Sequence, residues 1–303
     1  MASKTSARQP RPQRPVPQPP NQPEVVQPLW ILRSMALIIL AAFVCGYLTM
    51  LYLFYQGQWQ LVLHPERTTA APVVPDAVPE QVRFGLDESA TPQLTGWWIA
   101  APPGSRFAAD TVLYLRNGSG SLAGDGATLA ALQGLGRNVF AFDYRGYGQS
   151  AAVHPSQSRM LQDAAQAWQY LADHRGIAAG HVVLFGDGVG GYLAATLARQ
   201  HPQAAALVLS SPQPDQIGVA RQDDRTRLVP VSLLFRERFR LEDVLPALTT
   251  PKLLLVTNAA EAGVAATAAM PRMVVTLRPQ DKNTPLSNEQ IGRFLDQYPT
   301  EAK

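Results

Sequence analysis

The chain has 303 residues and 46% hydrophobic content, enough for a sizeable core, which excludes a chain that is disordered throughout. Its single cysteine, Cys45, excludes an intrachain disulfide and any cysteine-rich metal site, and neither a metal nor a cofactor is expected. The net charge is +3, but the first 34 residues carry Lys4, Arg8, Arg11, Arg14 and Arg33 against Glu24 alone, leaving 21 bases and 22 acids elsewhere. The basic balance therefore belongs to the tail, and no nucleic-acid partner is expected of the folded part.

Residues 1–28 are rich in Pro, Gln and Arg with few large apolar side chains, so they cannot bury enough surface to order themselves. They are expected to form a flexible arm; a Pro-spaced segment such as Pro15 to Pro20 also has the form of an SH3-type ligand, though an unspecific polar arm is the preferred reading. Residues 29–57 follow as a membrane segment with its flanks. Met35 to Tyr55 reads MALIILAAFVCGYLTMLYLFY, a run without a charge that is long enough to cross roughly 30 Å of hydrocarbon. A cleaved signal peptide is disfavoured, because the preceding arm is long, the apolar run exceeds the usual ~7–15 residues, and no small-residue cleavage site follows promptly. The bilayer is thus expected as a partner through residues 35–55. Arg33 and the tail bases precede this run and no base follows until Arg67, which predicts a single-pass protein with a cytoplasmic N-terminus and an outward-facing domain.

Residues 58–80 read as a juxtamembrane connector and 81–303 as the globular domain. Strands are expected near Gln81 to Leu86, Leu94 to Ala100, Thr111 to Leu115, Arg137 to Phe142, His181 to Phe185, Ala205 to Leu209, Lys252 to Val256 and Met273 to Leu277. Helices are expected over Gly126 to Leu135, Ser158 to His174, Gly191 to Gln200 and Ser287 to Tyr298. This alternation implies an α/β fold: a mostly parallel sheet with helices on both faces, and an antiparallel lead-in from the first two strands. Trp97 and Trp98 alternate across a strand, so one belongs in the core and the other lies exposed or under a loop.

Val182 to Ala198, VVLFGDGVGGYLAATLA, is a strand turning sharply into a helix, the layout of a nucleophile elbow. Gly186 and Gly190 occupy the two flanks where no Cβ fits, and the apex between them is Gly188. A glycine carries no oxygen or sulfur to attack a carbonyl. Taking Asp187 as the apex would put Phe185 and Val189 on the flanks, so that register is rejected.

The blocks LYLRNGSGSL (Leu113 to Leu122), FAFDYRGYGQS (Phe140 to Ser150), VVLFGDGVGG (Val182 to Gly191) and Leu228 to Leu255, with a shorter lid, resemble successive blocks of the α/β-hydrolase superfamily. The chain is most similar to its single-pass, membrane-anchored members, whose segment after the membrane resembles LVLHP. The resemblance implies a triad in the order serine, aspartate, histidine and two backbone N–H groups as an oxyanion hole. The serine position matches Gly188. The acid position matches Ala260, with Glu261 one residue away as a substitute acid, and the histidine position matches Lys282. The five histidines are His64, His154, His174, His181 and His201, so none follows residue 201. The leading His-Gly of the oxyanion turn is replaced by Arg116 and Asn117, with Gly118 and Val189 as the residual oxyanion pair.

Asp143 and Arg145 read as loop-structuring groups, and Ser119, Ser121, Ser210 and Ser211 lie near strand ends without elbow geometry. Arg236 to Arg240, RERFR, reads as a solvated helix face. Arg116, Lys282, Gly118 and Val189 could line a pocket for a small anion or acyl carboxylate, with Asp187 opposing it. The preferred reading is a membrane-tethered pseudoenzyme that binds or scaffolds. The alternatives are an active serine hydrolase (esterase, thioesterase or peptidase) using displaced groups, and a structural partner of another membrane protein.

Overall fold

In a computed structural model, which describes residues 28–281 and 285–298, the first element is helix α1, Pro28–Gly57, 30 residues long. It rises about 45 Å at ~1.5 Å per residue, buries none of its side chains, and is long and apolar enough to cross a membrane. Residues 1–27 of the expected arm at 1–28, and Lys282, lie outside the described residues, and Pro28 begins α1. The chain divides into two compact units between Met50 and Leu51. The second holds all the remaining elements.

Eight strands of that unit form one sheet: β1 Glu80–Leu86, β2 Pro92–Ile99, β3 Thr111–Leu115, β4 Asn138–Asp143, β5 Val182–Asp187, β6 Ala206–Ser210, β7 Lys252–Val256 and β8 Arg272–Thr276. Their order is β8-β7-β6-β5-β3-β4-β2-β1. β2 is antiparallel to both of its neighbours, β1 and β4, and the other five pairings are parallel, as the alternation requires. Strands β3, β5, β6 and β7 bury every residue, because helices cover both faces of the sheet there.

The helices of this unit are α2 Gly126–Gln133, α3 Gln157–Asp173, α4 Gly190–Gln200, α5 Ile217–Gln222, α6 Val231–Leu234, α7 Ala259–Ala266 and α8 Pro285–Gln297. One face of the sheet, with Val112, Tyr114, Phe185, Val208 and Leu255, packs on Leu129 and Leu132 of α2 and on Ile291 and Phe294 of α8. Helix α3 is capped by Ser156, whose Oγ accepts the Arg159 N–H, and buries Met160, Ala164, Ala167, Trp168 and Leu171 in one stripe. Trp97 is the core member of its pair; Trp98 lies under the Arg175 guanidinium, 4.7 Å from the ring centroid.

The expected helix over Arg236 to Arg240 is absent. The segment is irregular, with Phe239 at φ +46°, and has Phe235, Glu237 and Phe239 buried and Arg236 and Arg240 exposed. Burial alternates residue by residue from Phe235 to Arg240, a pattern that a solvated helix face does not have.

Candidate functional site

Parallel pairing of β3 with β5 sets Leu115 opposite Gly186, so the loops leaving the carboxyl ends of these two strands emerge side by side. This is where the strand order reverses, the position at which open α/β sheets place their ligands. At the end of β5, Gly188 has φ +56°, its N–H donates to the Ser210 carbonyl, and α4 begins two residues later. The flanking glycines are sterically required. A Cβ at Gly186 would lie 2.6 Å from the Gly190 carbonyl oxygen, and one at Gly190 would lie 2.1 Å from that of Leu115. The backbone is that of a nucleophile elbow with its apex at 188.

One side chain stands close in front of the apex and a second lies at ordinary contact distance. A Cβ built on Gly188 would stand 3.2 Å from the Asn117 Cβ and 3.5 Å from the Gln213 Nε2. Asn117 is held there at both ends of its amide: Nδ2 donates to Asp187 Oδ2 at 3.2 Å, and Oδ1 accepts the Ser119 N–H at 2.9 Å. Gln213 and the positioning role of Asn117 are missed by the sequence reading, since nothing in local periodicity says which loops meet. Gly118 and Val189 do come together, because a Cβ at Gly118 would meet the Val189 Cγ2 at 3.2 Å and the Leu63 Cδ2 at 2.8 Å. Leu63 is buried, and His64–Pro65 pairs in parallel with Ser119–Gly120, so the segment after α1 is fastened to this loop.

Arg116 is turned inward. Its side chain is buried, with Nε donating to Asp125 Oδ2 at 2.9 Å and Nη2 to the Ser119 carbonyl at 2.6 Å. Burial works against its charge, but the adjacent Asp125 carboxylate prevails and raises its pKa. Burial also pushes the Asp125 carboxyl upward, against the pull of Arg116. The arginine satisfies carbonyls of its own loop that would otherwise be buried unpaired.

The FDYRGYGQS block supports the same loop from below. Tyr144 and Tyr147 donate their hydroxyls to the carbonyls of Arg116 and Gly118, at 3.1 and 2.9 Å. Asp143 Oδ1 accepts the Leu122 N–H at 2.8 Å, and Arg145 Nε donates to Asp163 Oδ1 at 2.6 Å. Burial raises both Asp143 and Asp163 to about 6. These residues shape the loop, as their turn chemistry suggests.

On the acid side, Ala260 is exposed in the first turn of α7, and Glu261 is a helix cap. The Asn258 side chain accepts the Glu261 N–H, while Glu261 Oε2 accepts from the Thr257 N–H at 2.6 Å and the Thr257 hydroxyl at 3.0 Å. That reciprocal pattern is a capping box displaced by one residue, and it occupies the carboxylate locally. The position expected for a histidine, Lys282, falls outside the described residues.

The histidines have other surroundings. His154 stacks on Trp59, His174 on Tyr170 and His201 on Trp168, and His181 bonds Asp110 at the opposite end of the sheet. His64 alone of the five borders the candidate loop, as the strand neighbour of Ser119, and both side chains are exposed. Of the other serines, Ser121 and Ser210 are buried, and Ser211, at φ +48°, donates its N–H to the Leu255 carbonyl.

Residues 109–276 match the family described as serine aminopeptidase, S33. A protein of Mycobacterium tuberculosis, described as uncharacterised, is 35% identical over 120 residues, 40% of this chain and 41% of that one. The α/β-hydrolase domain-containing protein WAV2 of Arabidopsis thaliana is 32% identical over 128 residues, 42% of this chain and 41% of the relative. The α/β-hydrolase domain-containing protein 17C of Xenopus tropicalis is 31% identical over 132 residues, 42% of this chain and 40% of the relative. The chain thus aligns with about two fifths of the length of these curated relatives. Among solved structures, an esterase of Pyrococcus furiosus superposes with a TM-score of 0.59 at 18% identity, covering 78% of this chain and 97% of that one. An α/β-hydrolase of Vibrio vulnificus gives 0.55 at 24%, covering 72% and 79%. These likenesses are of fold.

Proposed function

This chain belongs to the serine aminopeptidase S33 family of α/β-hydrolase-fold proteins, and from that premise we propose that it is a membrane-anchored, non-hydrolytic member with a binding or scaffolding role. The observation that carries the reading is Gly188, a glycine at the apex of an elbow whose backbone and flanking glycines are those of a nucleophile site. Losing a triad nucleophile alone costs on the order of 10⁶ in turnover where it has been measured. The Asn117 side chain, close against the apex, and the use of Glu261 as a cap support the same reading. Helix α1 supplies the anchor, with the cytoplasmic N-terminus and outward domain that the flanking charges favour. Its exposed apolar surface also suits a neighbouring helix in the bilayer, which keeps a membrane-protein partner within the proposal. A small-anion site built on Arg116 is set aside, because that guanidinium is bonded to Asp125 and to its own loop.

A fluorophosphonate probe on the purified full chain tests this role. Absence of covalent labelling, with a folded protein, is the expected result, and stoichiometric labelling at one residue overturns it. The pairing of His64 with Ser119 favours a second reading, an active hydrolase of the esterase or peptidase type using displaced groups. That reading requires labelling that Ser119→Ala abolishes and that His64→Gln weakens.

A further inference from the structure

Beyond Gly57 the chain makes a single turn, Gln58–Leu61, beside a groove of about 550 Å³ that shares no lining residue with the elbow. Its apolar walls include Trp59, Pro65 and Val153, and its charged side chains are Arg67 and Arg159, with His154 stacked on Trp59 at 5.3 Å between ring centroids. No carboxylate lines it. Glu66 is the neighbour of Arg67 in the chain, and Glu237, buried behind the start of α3, bonds the Gln157 N–H. Arg67 is anchored through Nη1 to the Tyr147 and Ser150 carbonyls, and Arg159 through Nη1 to the His154 carbonyl at 2.6 Å. A guanidinium has five N–H donors, so each arginine keeps a fork of donors beyond its anchoring nitrogen.

We propose that this groove binds the phosphate of an anionic phospholipid headgroup at the surface of the bilayer spanned by α1, an inference that rests on the reading of α1 as a membrane anchor. Position decides for a lipid over a soluble anion. Trp59 lies two residues past the end of α1, at a depth where the headgroup layer extends several ångströms beyond the hydrocarbon. Tyr55, in the last turn of α1, lies under the Arg236 guanidinium at 5.0 Å, which puts a further cation beside the end of α1. Exposed Val153 on the groove wall suits an acyl or glycerol edge better than bulk water. The pairing of planar guanidinium forks with phosphate oxygens supplies the recognition. Occupied in this way, the groove fixes how the folded unit stands on the membrane.

Native mass spectrometry of the full chain in a non-ionic detergent, with added short-chain phosphatidylglycerol or phosphatidylcholine, tests this directly. The expected result is preferential retention of phosphatidylglycerol, reduced about fivefold by Arg159→Gln and further by Arg67→Gln with Arg159→Gln. Arg159→Gln leaves the carbonyl contacts of Arg67 in place, and an unchanged melting temperature verifies that it folds. Equal retention of the two lipids, undiminished retention by Arg159→Gln, or displacement by inorganic phosphate at equal concentration each overturns the proposal. Alkaline extraction of membranes tests the anchor separately. A chain released by alkali fails as an anchored protein, whereas one that stays in the membrane but shows no lipid preference fails only as a headgroup binder.

Discussion

The Asn117 side-chain amide donates to the Asp187 carboxylate at 3.2 Å, joining the loops that follow β3 and β5 directly in front of the elbow apex. This bond, between residues 70 positions apart, holds the Asn117 side chain beside the apex, 3.2 Å from where a Cβ at 188 would stand. It also explains why glycine suits position 188. The backbone there has φ +56°, and a Cβ would press on Asn117.

Restoring the missing hydroxyl should therefore fail to restore chemistry. Gly188→Ser introduces a left-handed non-glycine residue against Asn117, at a cost of about 1–3 kcal/mol, and supplies no base to deprotonate it. Denaturant unfolding of the full chain in detergent should show that loss, and fluorophosphonate labelling should remain at background. Efficient labelling of the variant would mean that a proton acceptor reaches the apex after all.

Neighbouring glycines of α4 should respond in opposite ways. A Cβ at Gly190 would lie 2.1 Å from the Leu115 carbonyl oxygen, whereas one at Gly191 would make only ordinary contacts, 3.5 Å from Leu209 and 3.8 Å from Leu241. Gly190→Ala is expected to lose more than about 4 kcal/mol or fail to fold, while Gly191→Ala should be neutral or gain up to ~1 kcal/mol of helix propensity. Melting temperatures of the two variants provide the comparison, and equal effects would place the start of α4 elsewhere.

Asp143 predicts a specific dependence on pH. Burial raises its carboxyl from 3.8 to about 6, so between those values the native state holds this proton more tightly than the unfolded chain. Its contribution to stability is fully present below about pH 4 and is lost as the pH rises through about 6. Asp143→Asn keeps an acceptor for the Leu122 N–H and removes the titration. Relative to the variant, the wild type should lose about 1–3 kcal/mol between pH 4 and pH 7, and parallel curves would refute the assignment. Asp163, also near 6, leaves a residual slope in both proteins.

Glu261 separates a capping role from a catalytic one. Its carboxylate serves the Thr257 N–H and hydroxyl, so Glu261→Ala should cost about 1 kcal/mol, and Glu261→Gln, which keeps an acceptor, much less. Neither change should alter any residual ester turnover measured on the same preparations. A selective loss of turnover in Glu261→Gln with stability intact would make it an acid of the reaction.

Much of this protein is written in short stretches of sequence. The apolar runs predict all eight strands of the sheet to within a few residues: the four that bury every residue read as continuous apolar segments, and β1 as an alternating one. The glycine spacing 186, 188, 190 gives the elbow and its empty apex for the same local reason, since the turn tolerates no Cβ at its flanks. Lys282 and residues 1–27 of the expected arm lie outside the described residues. Other features follow from contacts between distant parts of the chain. Arg116 has the composition of a cleft cation, yet folding turns it inward onto Asp125, because the carbonyls of its loop need a donor once buried. Gln213 before the apex, Leu63 over Gly118 and the arginine groove beside Trp59 arise in the same way. Hydrophobic periodicity determines which segments become strands and helices; which side chains meet between them depends on loop closure over tens of residues, and that was decided only by the tertiary structure.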